Sequence, residues 1–240
     1  MSALYNDLSR VYDIVFPENT SATAFLADGL DGKRRILDIA CGTGNYSHSL
    51  AGQGHVVTGI DLDETMIAAA RKKYPGGNPA FFAGDMTGID SMFHDSRFDL
   101  IFCIGNSLVH LPDREAVGAT LKKVHGLLDD GGACLVQIVN FDRMIDKNIT
   151  SLPTIERKDG DITFEREYEF SAENDTLLFN TVLSYDEKAV RNSVRLLAIR
   201  STELAGMFSG AGFSEVKVFG GYDESEHTVD SMATVIRAIR

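Results

Sequence analysis

The chain has 240 residues, 44% apolar and 24% charged, an ordinary balance for a globular protein long enough to bury a full core. Lys and Arg number 23 against 35 Asp and Glu; the formal charge of −12 repels phosphate backbones and argues against a nucleic-acid partner. No apolar run reaches the roughly 18–20 residues of a membrane span, and no apolar leader core follows Met1, so no membrane attachment and a cytoplasmic location are expected.

Apolar runs alternate with helix-like stretches along the first 140 residues. Arg35–Ala40 (RILDIA) is a compact strand candidate that runs into a Gly-rich turn, and Asn45–Gln53 follows as a helix. Val56–Ile60 is a second strand ending at Asp61, and Asp63–Tyr74 a helix with Met66, Ile67 and Ala70 on one face. Pro79–Ala83 and Phe98–Ile104 are further strands. Asp113–Leu128 is a helix that stops at Asp130-Gly131-Gly132, and Ala133–Val139 is a fifth strand. Strands apolar on both faces and separated by helices predict a doubly wound parallel sheet.

Beyond Phe141 the period changes. Asp161–Phe170 alternates strictly, with Ile162, Phe164, Arg166, Tyr168 and Phe170 on one face. Leu177–Tyr185 and Ser193–Ile199 are similar, with a turn at Glu173-Asn174-Asp175, which predicts antiparallel strands inserted into the α/β frame. The face carrying Phe164 and Tyr168 suits a pocket wall, a core cover or a dimer surface. A helix at Thr202–Ala211 and strands at Ser214–Phe219 and Ala233–Ile239 close the chain.

Chemistry concentrates at the strand ends. Gly42 and Gly44 let a ligand approach the backbone after the first strand, and the next helix offers free N–H groups there. Ser47 stands where a dinucleotide fingerprint has its third glycine, which favours a nucleoside lacking a pyrophosphate. Asp61 can accept from both ribose hydroxyls, and Asp85 from an adenine amine beside the Met86 N–H; each alone also suits a helix cap or turn. Cys41, Cys103 and Cys134 lack zinc-ligand spacing and read as reduced core residues, so no metal is expected.

The runs LDIACGTG (37–44), GIDLDETM (59–66), FAGDM (82–86) and FDLIFCIGNSLVHL (98–111) together resemble the class I S-adenosylmethionine-dependent methyltransferases. The resemblance implies a Rossmann-like seven-stranded, mostly parallel sheet in the order 3-2-1-4-5-7-6, with an inserted antiparallel β lid and an N-terminal helical segment. It implies that Asp38, Ala40, Gly42 and Gly44 hold the methionine part of S-adenosyl-L-methionine, Asp61 the ribose and Asp85 the adenine. Leu62, Met66, Met86 and Cys103 complete the cofactor set.

GNSLVHL resembles a stretch of the glycine and sarcosine N-methyltransferases, which points to Asn106 at the acceptor and His110 near the cofactor; Asn106 also suits a turn and His110 a helix start. Tyr5–Asp13 resembles their helical lid, with Tyr12 favoured over Tyr5 to shield the sulfonium. Val139 stands where those glycine enzymes carry a carboxylate-binding Arg, which argues against glycine; Arg143 and Arg166 are other candidates for such a role. The expected organisation is a single methyltransferase domain over 1–240, with a lid at 1–32 and inserted strands at 140–200, acting on a small-molecule acceptor, with a homodimer left open. The competing readings are a cofactor-binding regulator without turnover and an NAD-dependent oxidoreductase.

Overall fold

A computed structural model describes residues 11–157, 161–171, 176–186 and 188–240. Seven strands form the main sheet: β1 (Arg35–Ile39), β2 (Val56–Asp61), β3 (Ala80–Ala83), β4 (Phe98–Cys103), β5 (Leu128–Val139), β10 (Glu215–Phe219) and β11 (Ala233–Ile239). Their order is β3-β2-β1-β4-β5-β11-β10, with β11 antiparallel to both its neighbours and the β1–β5 pairs parallel. This is the 3-2-1-4-5-7-6 arrangement.

Alternate residues of each strand feed two cores. Leu37, Ile39, Ile101 and Cys103 pack under helices Arg114–Leu127 and Ser201–Ala211 on one face, while Ile36, Leu100 and Phe102 meet helices Thr20–Ala27 and Asn45–Gly52 on the other. Helix starts follow local chemistry: Asn19, Asp63 and Asp113 accept from N–H groups of the first turns they precede. The Gly-rich stop at Asp130-Gly131-Gly132 does not break β5. It forms an irregularity where the β4 register slips between Phe98 and Leu100, with Gly131 at φ 78°.

The insert departs from expectation at its start. Phe141–Asp146 is helical rather than extended, capped by Asn140, and a strand that the alternation did not reveal, β6 (Ser151–Arg157), follows it. Pro153 and its weakly apolar neighbours hid that strand. β6 pairs with β7 (Ile162–Ser171), then β8 (Thr176–Tyr185) and β9 (Lys188–Leu197), as a separate antiparallel sheet. The turn expected at 173–175 lies outside the described residues, as do residues 1–10 of the expected N-terminal lid, including Tyr5.

The two ends of the insert are tied together. Arg200 pairs with Asp142 at 3.1 Å and Asp146 at 2.7 Å, and Ser201 N–H donates to the other Asp142 oxygen. The inner face of β7–β8 covers apolar core. Ile162, Phe164 and Leu183 join Val11, Val15 and Met66, while Tyr168 and Leu177 join the main cluster beside Phe141 and Met144. Among the described residues, no helix is long and apolar enough to cross a membrane, and no group of three or more His, Cys, Asp or Glu is placed to hold a metal ion.

Candidate active site

β1 is flanked by β2 on one side and β4 on the other, so the strand order reverses beside it. In open α/β sheets, ligands bind beyond the carboxyl ends at such a point. Two non-glycine residues stand there in the left-handed region: Ala40 at φ 60°, after β1, and Asn106 at φ 68°, after β4. Such conformations cost free energy and gather at functional sites.

Asp38 lies on β1, 3% exposed, with one Oδ atom accepting from the Ser47 hydroxyl at 2.6 Å. Burial, offset in part by Ser47 and reinforced by the charge of Asp61, pushes its carboxyl up to about 7. Asp61, at the end of β2, accepts from Gly42 N–H and Asp63 N–H at 2.9 Å each, one bond per carboxylate oxygen. Each oxygen therefore keeps a lone pair for a further donor. Burial also raises the Asp61 pKa, against the backbone bonds that lower it. Two largely desolvated carboxylates at adjacent strand ends make a place for a cationic ligand bearing hydroxyl and ammonium donors, and repel a pyrophosphate. S-adenosylmethionine, with its ammonium, sulfonium and ribose hydroxyls, fits that donor demand.

The glycine turn is roofed by the N-terminal segment. The Tyr12 ring lies over Gly42, its nearest carbons 3.4 Å from where a Cβ would stand. At Gly44, φ 82°, a Cβ would come within 2.4 Å of the Phe81 ring, so only glycine fits. Asp13, next to Tyr12, accepts from Thr43 Oγ1 at 2.5 Å and Asn45 Nδ2 at 2.9 Å, while its other oxygen meets Lys73 Nζ at 2.5 Å. Burial would raise the Asp13 pKa, but the bonds from Lys73, Thr43 and Asn45 outweigh it and hold the carboxyl below its ordinary value. This clasp was missed in the sequence, where Asp13 and Lys73 are two ordinary charges sixty positions apart.

The other expected site residues divide. Leu62 is 64% exposed directly after Asp61, an apolar surface suited to a ligand ring. Asp85 is exposed and caps its own turn by accepting from Thr87 N–H at 2.8 Å, which leaves its second oxygen open; Met86 packs partly against the main core. Two of the expected residues have buried side chains. The Met66 side chain is 2% exposed among Val11, Val15 and Phe164, and its N–H goes to Asp63, so Met66 serves the core. The Cys103 side chain is likewise buried in the main cluster, near enough to Asp38 and Asp61 that their charges add to burial in raising its thiol pKa.

Asn106 braces the exit of β4. Its Oδ1 accepts from Val139 N–H at 2.9 Å and its own N–H donates to Gln137 O at 3.2 Å, so the turn role is real; among the described residues its amide nitrogen has no protein partner. His110 closes the short helix Leu108–His110. Protein packed around its ring lowers its pKa, which keeps it neutral at pH 7.

The sheet order and the switch-point site define a class I methyltransferase fold. Residues 36–132 match the family model described as "Methyltransferase domain". The chain has this fold along its length, while its match to that family model is confined to residues 36–132. It is 35% identical over 138 residues to "Putative methyltransferase YqeM" of Bacillus subtilis strain 168, covering 56% of this chain and 55% of that protein. It is 24% identical over 200 residues to "Glycine/sarcosine N-methyltransferase" of Aphanothece halophytica, covering 83% and 73%. The chain spans about half the length of the first curated relatives it matches. The CcbJ methyltransferase of Streptomyces caelestis superposes with TM-score 0.83 at 22% identity, over 98% of this chain and 96% of that one. DesVI of Streptomyces venezuelae gives 0.74 at 18%, over 100% and 99%.

Proposed function

We propose that this chain is an S-adenosylmethionine-dependent methyltransferase acting on a small-molecule acceptor. The observation that carries the reading is the pair of carboxylates, Asp38 and Asp61, at adjacent strand ends beside the Gly42–Gly44 turn and beneath Tyr12. In it Asp38, Ala40, Gly42 and Gly44 hold the methionine part, Asp61 and Leu62 the ribose side, and Asp85 and Met86 the adenine. The whole chain works as one domain, with the segment up to residue 32 as a lid and 140–200 as the acceptor-side insert.

S-adenosylmethionine, when bound, supplies a methyl group on a sulfonium that is already activated for displacement. The residues therefore need to align and dehydrate the reacting atoms more than to create a nucleophile. Tyr12 covers the glycine turn and excludes water from it. The free amide nitrogen of Asn106 would orient the acceptor towards the methyl group that the bound cofactor would supply. Neutral His110 receives the proton that the acceptor releases. The net charge of −12 and the names of relatives that act on glycine and sarcosine support a small acceptor over a nucleic acid.

Calorimetric titration with S-adenosylmethionine, S-adenosylhomocysteine and NAD tests the cofactor half: the first two bind and NAD does not. Binding of NAD alone would sink the reading. Formation of S-adenosylhomocysteine over an acceptor panel tests turnover, and cofactor binding without it on any acceptor would favour a regulator.

A further inference from the structure

Phe164, Tyr168, Leu177 and Leu183 turn one face of the inserted sheet onto apolar core, and the opposite face meets solvent. Strand register sets what that open face carries. Glu165 of β7 lies beside Val182 of β8, and Val182 beside Arg191 of β9. The next two rungs on the same face are Glu167, Asn180, Ser193 and Glu169, Leu178, Arg195. The glutamates and both arginines are exposed, and Leu178 is 42% exposed. The face is thus three columns, acidic on β7, uncharged on β8 and basic on β9.

This arrangement does little within one chain. Opposite charges stabilise a sheet when they face each other on neighbouring strands. Here β8 stands between the two columns and holds them about 10 Å apart. Among the described residues, none of these glutamates or arginines forms an ion pair. Arg195 gives one N–H to Pro112 O at 2.8 Å and keeps the others.

A second copy satisfies the columns in one orientation. A two-fold axis lying in the interface and parallel to β8 exchanges the β7 and β9 sides and keeps every rung at its own height. Glu165 then stands over Arg191 of the second copy and Glu169 over Arg195 of the second copy, while Val182 and Leu178 meet their own counterparts. The other axis in that plane, across the strands, would set glutamates over glutamates. A surface that matches itself through a two-fold axis is what an isologous dimer requires, and an apolar centre between charged margins suits an interface. Four strands about 4.8 Å apart and up to ten residues long present about 600 Å², near the roughly 800 Å² per partner of a standard interface. A hollow of about 420 Å³ over Asn180 and Val182, walled by Glu165, Glu167 and Arg191, leaves room for these long side chains as the two sheets close.

We infer that the open face of β7–β9 is the surface through which two copies of this chain associate, the acidic column of each lying on the basic column of the other. The inference is independent of the cofactor reading, because none of its residues belongs to the switch-point site.

Sedimentation velocity on the full chain across the micromolar range tests it. Wild type should form a dimer in that range. Glu165→Arg and Arg191→Glu each set like charges face to face twice per dimer, and each should raise the dimer dissociation constant at least about tenfold. An equimolar mixture of the two variants should recover a heterodimer, because every reversed charge then meets its opposite. Both side chains are exposed, so circular dichroism should show both variants folded as wild type is. A wild type that stays monomeric would leave the face to solvent or to a different protein and overturn the inference. A dimer that both reversals leave intact would overturn it too, as would variants that remain apart when mixed.

Discussion

The Ser47 hydroxyl donates to the buried Asp38 carboxylate at 2.6 Å, across the turn that joins β1 to its helix. This contact explains why a serine occupies the place of a third glycine. The helix supplies a partner to a carboxylate, where a dinucleotide fold would bring the helix close to a pyrophosphate.

The first prediction concerns pH. Asp38 titrates at about 7 in the folded chain against an ordinary 3.8, so the folded protein keeps a proton that the unfolded chain has lost. Its contribution to stability is fully present below about pH 3.8 and is lost as pH rises through about 7. An ammonium ligand favours the ionised form, so S-adenosylhomocysteine should bind more tightly as pH rises towards 7, by up to about tenfold per unit. Calorimetry between pH 5.5 and 8 would show it, and a flat affinity would remove Asp38 from the ligand's ammonium group.

Asp61→Ala should weaken S-adenosylhomocysteine binding by about 1–3 kcal/mol, the scale of a lost hydrogen bond to a charged group. It also frees Gly42 N–H, which now donates to Asp61. Asp61→Asn keeps one carbonyl acceptor and should lose less. Unchanged affinity in the alanine variant would place the ribose elsewhere.

Asp13→Ala should loosen the lid, since it removes the acceptor shared by Thr43, Asn45 and Lys73. A loss of about 1–2 kcal/mol in ligand affinity is expected. Amide exchange should accelerate at residues 11–16 and remain as in wild type in β4 and β5. Acceleration spread evenly over the sheet would mean a general loss of stability rather than a released clasp.

Asn106→Ala should destabilise the fold more than Asn106→Gly. Both variants strip Val139 N–H of its acceptor, but only alanine must also hold φ 68°, at a cost of about 1–2 kcal/mol. The glycine variant therefore removes the side chain, with its bond to Val139 N–H, without adding backbone strain. Melting temperatures in the reverse order would show that the turn relaxes away from the left-handed region.

The parallel half of the fold was legible chiefly because its central strands, β1 and β4, are buried on both sides. Continuous runs such as Phe98–Cys103 can be nothing else between helices with Asp63 and Asp113 at their caps. β6 was not legible, since Ser151–Arg157 lies at the edge of its sheet with no fully buried residue to create a pattern. The surroundings of the Met66 side chain were not legible for a related reason. A helical motif position shows that a side chain turns inward, but not whether a ligand or a second apolar surface waits there. In this chain Val11 and Phe164 do.

By itself the sequence determined the alternation of strands and helices and the acidic residues at the strand ends, because apolar periodicity and glycine turns are local; the strand order followed only from the resemblance to a known family. Only the tertiary structure decided what stands over them. The Asp13 clasp spans thirty positions to Thr43 and sixty to Lys73. The Arg166–Thr181 rung exists only once β7 and β8 are in register, and it leaves Arg166 Nε and Thr181 Oγ1 buried without a partner. Contacts between distant segments are set by how the two sheets pack, which no local pattern records.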